Sequence, residues 1–157
     1  QAFTGIGQFD VRASALQMAM VASGIAAHGN VYKPYLVDQV QAPDLTVLWQ
    51  APTTKLHSNV LSPSVADDLT QMMVNVVDRG TGSAARIAGV QVAGKTGTAQ
   101  SAPNRPPYAW FVSFAPADNP QVAVAVLVQD AGVDRNSITG NGLAAPIARA
   151  LMQAVIQ

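Results

Sequence analysis

Three strand-like runs follow one another at 90–100, 108–115 and 121–129, and the loops between them are too short to hold a helix. Parallel neighbours need a crossover of a dozen or more residues. The order therefore restricts this part of the chain to an antiparallel meander. The last run is apolar on both faces from Val122 to Val128, as expected of a strand covered on each side. The middle run places Trp110, Val112 and Phe114 on one face and Phe111 on the other. The first run begins by alternation, with Val90 and Val92 set against Gln91 and Ala93. As first member of the meander it is expected to have one edge free or paired to something else.

That first run then turns small and polar. Gly94 and Gly97 leave backbone uncovered, which in a strand marks close approach by a ligand or another backbone. Beside them stand the ammonium of Lys95 and the hydroxyls of Thr96 and Thr98. Such an edge suits an extended, anionic, peptide-like ligand laid along it as an added strand. The bland reading is a Gly-containing edge strand with a solvated lysine. Lys-Thr-Gly alone arises by chance in about one chain in thirty of this size, so its context must carry the case.

The context begins with helices. Ser14 with Gln17 three residues on has capping-box spacing. It predicts a helix over 14–28 that is apolar nearly all round and so buried in the middle of a domain. His28 at its end reads as a surface residue rather than a catalytic one. Ser62-Pro63 predicts a second helix over 63–79. Its apolar stripe is Val65, Leu69, Met72, Met73, Val76 and Val77, with Asp67 and Asp68 in the first turn. Leu143, Ile147, Leu151 and Val155 predict one face of a C-terminal helix, with Pro146 near its start. Between the first two helices, 36–40 and 46–49 read as a hairpin around Pro43-Asp44, with Trp49 covering apolar surface and 51–61 irregular. Gly80-Thr81-Gly82 reads as a turn feeding the strand at 90, since no Lys-[Ser/Thr] follows at phosphate-loop spacing. The expected fold class is α/β: an antiparallel sheet flanked by helices.

Composition closes several routes. The chain has 157 residues, no Cys and a formal net charge of zero. Disulfides, thiolate metal sites and Cys nucleophiles are excluded. No basic field exists to attract nucleic acid, and the two His show no metal spacing. No cofactor is implied. No apolar run reaches the ~20 residues of a membrane span. Hydrophobic residues make up 49% and charged residues 11%, which hints that some surface is covered. The start, Gln1-Ala2-Phe3-Thr4-Gly5, reads as the middle of a longer chain.

Taken in order, the segments resemble the C-terminal half of the transpeptidase domain of class B penicillin-binding proteins. The resemblance covers nearly the whole chain. It is carried by Gly7-Gln8 with the helix start at 14–18, by Gly80-Thr81-Gly82, and by 94–100 followed by Ala109-Trp110-Phe111. The small-residue style and the His28-Gly29 helix end resemble an actinobacterial member of the A type. Phe9-Asp10 and Ala15 depart from residues usual in the family, in backbone rather than chemistry.

The resemblance implies a peptidoglycan D,D-transpeptidase that transfers an acyl group to a serine and is blocked by β-lactams. The family uses Ser-x-x-Lys, Ser-x-Asn and Lys-Thr-Gly. Only the third is present: Asn30, Pro52 and Val92 stand three places before Lys33, Lys55 and Lys95, and no Ser is followed two places later by Asn. By resemblance, Lys95 and Thr98 are catalytic. Lys95 supplies positive charge, and the Thr98 N–H is one of two oxyanion donors. Thr96, Gly97, Thr98 and Ala99 bind the substrate, with the two hydroxyls on its carboxylate. Residues 1–157 are then the C-terminal portion of the domain. The implied partners are an N-terminal remainder carrying Ser-x-x-Lys, Ser-x-Asn and a membrane anchor, peptidoglycan stem peptides, β-lactams, and cell-division or elongation proteins. The implied location is the extracytoplasmic face of the cell membrane. A β-lactam-binding sensor or inactive relative stays open as the alternative. So does an α/β domain that merely contains Lys-Thr-Gly.

Overall fold

A computed structural model of the chain describes residues 11–100 and 105–156. The Gly7-Gln8 segment, Phe9-Asp10 and part of the loop after Gln100 lie outside the described residues. Helix α1 spans Ala15–Ala26, α2 spans Pro63–Asp78 and α3 spans Ala145–Ile156. The strands are β1 (Val31–Tyr32), β2 (Gln39–Gln41), β3 (Val47–Gln50), β4 (Lys55–His57), β5 (Ala93–Ala99), β6 (Tyr108–Ala115) and β7 (Val122–Val128). The meander is as expected: β5, β6 and β7 form one antiparallel sheet in that order.

The register sorts the side chains. Gly94, Thr96 and Thr98 share a face with Phe111, Ser113, Val124 and Val126; Ala93, Lys95 and Gly97 share the other with Trp110 and Phe114. On the first face α3 packs Ala145, Ala148 and Met152 against Phe111, Val124 and Val126, and Val77 of α2 joins them. On the second, Ala22 of α1 and Met73 and Val74 of α2 meet Phe114 and Ala93. Both faces are therefore covered, which is why β6 reads as apolar on each side. Gly94 is required by this packing, because a Cβ there would lie 2.5 Å from Cζ of buried Phe111.

Local signals explain the helix starts. The Ser14 hydroxyl accepts from the Gln17 N–H at 3.2 Å, and the Gln17 side chain accepts from the Ser14 N–H at 2.8 Å, a complete capping box. The Ser62 hydroxyl accepts from the Val65 N–H at 3.3 Å, with Pro63 at the first helical position. His28, with φ of +50°, closes the turn after α1, and its Nδ1 lies 2.9 Å from an oxygen of Asp67, which stands with Asp68 in the second turn of α2 and not, as expected, in the first. This agrees with a structural role for His28.

Four expectations need correction. Helix α1 is not buried all round: only Ala22 and Gly24 are buried, and Leu16 and Val21 are exposed. Ala22 makes the close contact with the sheet, Ile25 and Ala26 pack beside it, and Leu16 and Val21 face away. The same inversion occurs in α3, where Ala145, Ala148 and Met152 are buried while Ile147, Leu151 and Val155 are exposed. In α2 the buried line is Ala66, Met73, Val74 and Val77, and Val65 and Met72 point outward. Strand boundaries also move. The first sheet strand begins at Ala93, because Val90 turns back in a bridge to Ile87. The first strand of the hairpin is 39–41 rather than 36–40, Trp49 is itself half exposed, and Lys55–His57 pairs with Val31–Tyr32 inside a stretch expected to be irregular.

Both outer strands of the sheet keep a free edge among the described residues. Along β7 the edge opens into an apolar groove between Leu16 and Ala19 of α1 and Leu151 and Val155 of α3. Along β5 it is the polar, glycine-bearing stretch. No helix among the described residues is long and apolar enough to cross a membrane.

Candidate active-site strand

The strand β5 brings all five sequence-singled residues to one edge of the molecule, but not to one face. Lys95 and Gly97 point to the Trp110 side, opposite Val112 and Trp110; Thr96 and Thr98 point to the Phe111 side, opposite Phe111 and Ala109. Ala99 ends the strand opposite Tyr108. Lys95 and Thr98 are exposed, and Thr96, Gly97 and Ala99 are half-buried. The Lys95 ammonium donates to the Thr96 carbonyl at 2.6 Å. That bond holds the ammonium against the strand's own backbone. No acidic side chain pairs with Lys95 among the described residues. The described residues hold no cluster of His, Asp or Glu able to bind a metal ion.

Two small-residue segments back this strand. The first is the turn at 80–82. The Thr81 hydroxyl lies 2.8 Å from the Thr96 hydroxyl. Gly80 and Gly82 let the turn close on the end of α2: a Cβ on Gly80 would stand 3.0 Å from the Val76 backbone, and the Gly82 N–H donates to the Val76 carbonyl at 2.8 Å. The second is a wide helical turn at Gly140–Ala144, capped by the Thr139 hydroxyl on the Gly142 N–H at 3.0 Å. A Cβ on Gly140 would stand 3.0 Å from both N and O of Gly97 and would fall on the Trp110 carbonyl oxygen. The segments are joined to each other, since the Ala84 N–H donates to the Asn141 side chain at 2.9 Å. At the far end, Arg135 donates to the Gln100 side chain at 2.9 Å and to the Arg105 carbonyl at 3.2 Å. Asn141, Gly140 and Arg135 were not singled out from the sequence. Thr81 was marked there only as part of the Gly80-Thr81-Gly82 turn, with no role toward the strand.

A free strand edge bearing one ammonium and two hydroxyls can hold a carboxylate and offer backbone donors beside it.

A family model for the penicillin binding protein transpeptidase domain matches residues 1–153. The chain belongs to this transpeptidase family. It is 46% identical to the peptidoglycan D,D-transpeptidase PbpA of Mycolicibacterium smegmatis, over 98% of this chain and 31% of that protein. It is 44% identical to PbpA of Mycobacterium tuberculosis, again over 98% of this chain and 31% of that protein. Among solved structures, PBPA from Mycobacterium tuberculosis superposes with a TM-score of 0.84 at 44% identity, covering 99% of this chain and 37% of that one. An imipenem acyl-enzyme complex of the same mycobacterial protein gives 0.81 at 43% identity, covering 99% and 33%. The chain thus spans about a third of the length of the relatives it matches. The expected fold class and the actinobacterial, A-type resemblance are both borne out.

Proposed function

We propose that this chain is the C-terminal portion of a transpeptidase domain, and that the protein it forms part of is a peptidoglycan D,D-transpeptidase. Its substrates are D-Ala-D-Ala stem peptides, and β-lactams acylate it as substrate mimics. The observation that carries this reading is the free edge of β5, with Lys95, Thr96 and Thr98 on it, in a chain of the transpeptidase family. The acyl-enzyme complexes of the mycobacterial relative support the β-lactam part.

The chain supplies one wall of the cleft. In an antiparallel strand the N–H and C=O of a residue point the same way, alternately toward and away from the partner. The Thr96 carbonyl takes the Lys95 ammonium, and we read it as facing the margin away from β6. By the alternation, the Thr98 N–H faces that margin too. We read it as one oxyanion donor, the other being the N–H of a serine nucleophile elsewhere in the polypeptide. One such donor contributes about 3 kcal/mol to transition-state stabilisation. Thr96 and Thr98 would bind the substrate carboxylate through their hydroxyls, with Gly97 and Ala99 keeping the edge low enough for a ligand strand. Lys95 would supply charge to that carboxylate and to the proton network. The remainder of the polypeptide would hold Ser-x-x-Lys, Ser-x-Asn and the membrane anchor that places the enzyme on the extracytoplasmic face. Cell-division or elongation proteins would be its further partners.

The test is labelling of the full-length protein with a fluorescent penicillin. The label is expected on a serine outside residues 1–157, followed by turnover of a D-Ala-D-Ala peptide. Label on a serine within 1–157 would overturn the assignment. Stable labelling with no peptide turnover would make the protein a β-lactam sensor.

A further inference from the structure

The Thr81–Thr96 hydroxyl pair carries more than support of the strand. Thr81 is exposed on a turn whose backbone is fixed: Gly82 bonds the end of α2, the Ala85 N–H donates back to the Gly82 carbonyl at 3.0 Å, and Asn141 holds the Ala84 N–H. The hydroxyl is therefore presented by a built turn. It lies 2.8 Å from the Thr96 hydroxyl, 15 residues away.

A hydroxyl has one proton and two lone pairs. Only one of the two protons can lie between the paired oxygens. If Thr96 donated to Thr81, the Thr96 oxygen would meet an anionic ligand with lone pairs alone. A carboxylate only accepts. A carboxylate on Thr96 therefore requires Thr81 to donate to Thr96, and Thr96 to donate outward. Aligned donors also polarise one another, which strengthens the outer bond.

We propose that Thr81 is a positioning residue for the carboxylate site: by donating to Thr96, it holds the Thr96 hydroxyl with its proton turned toward the carboxylate of the stem peptide or β-lactam. The proposal rests on the reading of β5 as the carboxylate-binding wall. It makes the turn at 80–82 a determinant of ligand charge. Hydrogen bonds to an ionised acceptor are about twice as strong as neutral ones, so loss of the relay weakens a charged ligand more than its uncharged ester.

The experiment uses the full-length protein with Thr81→Val, Thr81→Ala and Thr81→Ser. The second-order acylation rate is measured with a penicillin and with its methyl ester, alongside thermal melting. For Val and Ala the penicillin rate is expected to fall by about tenfold or more and the ester rate by about threefold. Thr81→Ser keeps the hydroxyl and is expected to keep the parent's preference for the charged ligand. Equal losses on both ligands would make Thr81 a purely structural residue and overturn the proposal, as would an unchanged penicillin rate. If Thr81→Val does not fold, Thr81→Ala and Thr81→Ser decide the same ratio. A parent that takes no label overturns the transpeptidase reading and this proposal together, whereas a labelled parent with equal losses overturns this proposal alone.

Discussion

Gly140 and Gly97 approach so closely that a Cβ on Gly140 would stand 3.0 Å from both the N and the O of Gly97. These are backbone atoms and cannot swing aside. Gly140→Ala is therefore expected to push β5 outward or to strain the turn at 140–144. Overpacking of this kind costs about 1–3 kcal/mol. Misplacing a ligand wall by about an ångström can cost 10²-fold in rate. Thermal melting and β-lactam acylation should thus fall together; a variant unchanged in both would show that the segment does not bear on the strand.

Lys95 is expected to behave in the opposite way. It is exposed, and its ammonium bonds the carbonyl of its neighbour. Lys95→Ala should change stability by no more than about 0.5 kcal/mol. Acylation of the full-length protein should fall by about 10²-fold or more, as when a preorganised charge is removed from a site. Comparable losses of stability and of acylation would make the lysine structural.

Ser113 offers a gain. It is fully buried in β6 opposite Gly94, and its hydroxyl has no partner among the described residues. A buried hydroxyl left unsatisfied costs about 1–3 kcal/mol. Ser113→Ala should leave stability unchanged or raise it by about 1 kcal/mol in a denaturant titration. A clear loss would show that the hydroxyl is satisfied.

The His28–Asp67 pair ties the end of α1 to the start of α2 with both side chains more than 60% exposed. Exposed pairs contribute about 0–1 kcal/mol. Asp67→Ala should shift the melting free energy by less than about 1 kcal/mol and leave acylation untouched. A large loss of acylation would bring His28 into the site.

At the tip of the β2–β3 hairpin, the Thr46 N–H donates to the Asp44 carboxylate at 3.1 Å, and that bond holds the Asp44 pKa below its ordinary value. A carboxyl whose pKa is lower folded than unfolded stabilises at pH above the unfolded value and loses that contribution as pH falls through the folded one. The Thr46 amide resonance should therefore titrate below the usual carboxylate range. Asp44→Asn should abolish that titration.

The parts of the fold that could be read in advance are those fixed by short-range chemistry. Ser14 with Gln17, and Ser62 with Pro63, mark their helices because capping partners lie within one turn. Tyr108–Ala115 and Val122–Val128 are legible because burial on both faces demands an apolar run. Lys55–His57 was missed because all three residues are exposed and give no alternation. The α3 stripe was assigned to the wrong side because Ile147, Leu151 and Val155 have the correct period, but the sheet prefers the close approach that Ala145 and Ala148 allow. Lys95 and the two threonines were identifiable as chemistry, though not their division between faces. Thr81 and Gly140 act on β5 from 15 or more positions away, Asn141 bonds Ala84 from 57 positions away, and no local pattern encodes such contacts.

The two supports of β5 lie on opposite sides of it in the chain, the turn at 80–82 before and the turn at 140–144 after. A growing polypeptide makes the first together with the strand. The second emerges only after β6 and β7 are complete. A chain that ends before residue 139 keeps every β6 partner of the strand but lacks the Gly140 contact at Gly97. Truncation just before residue 139 should therefore leave a paired but slack strand.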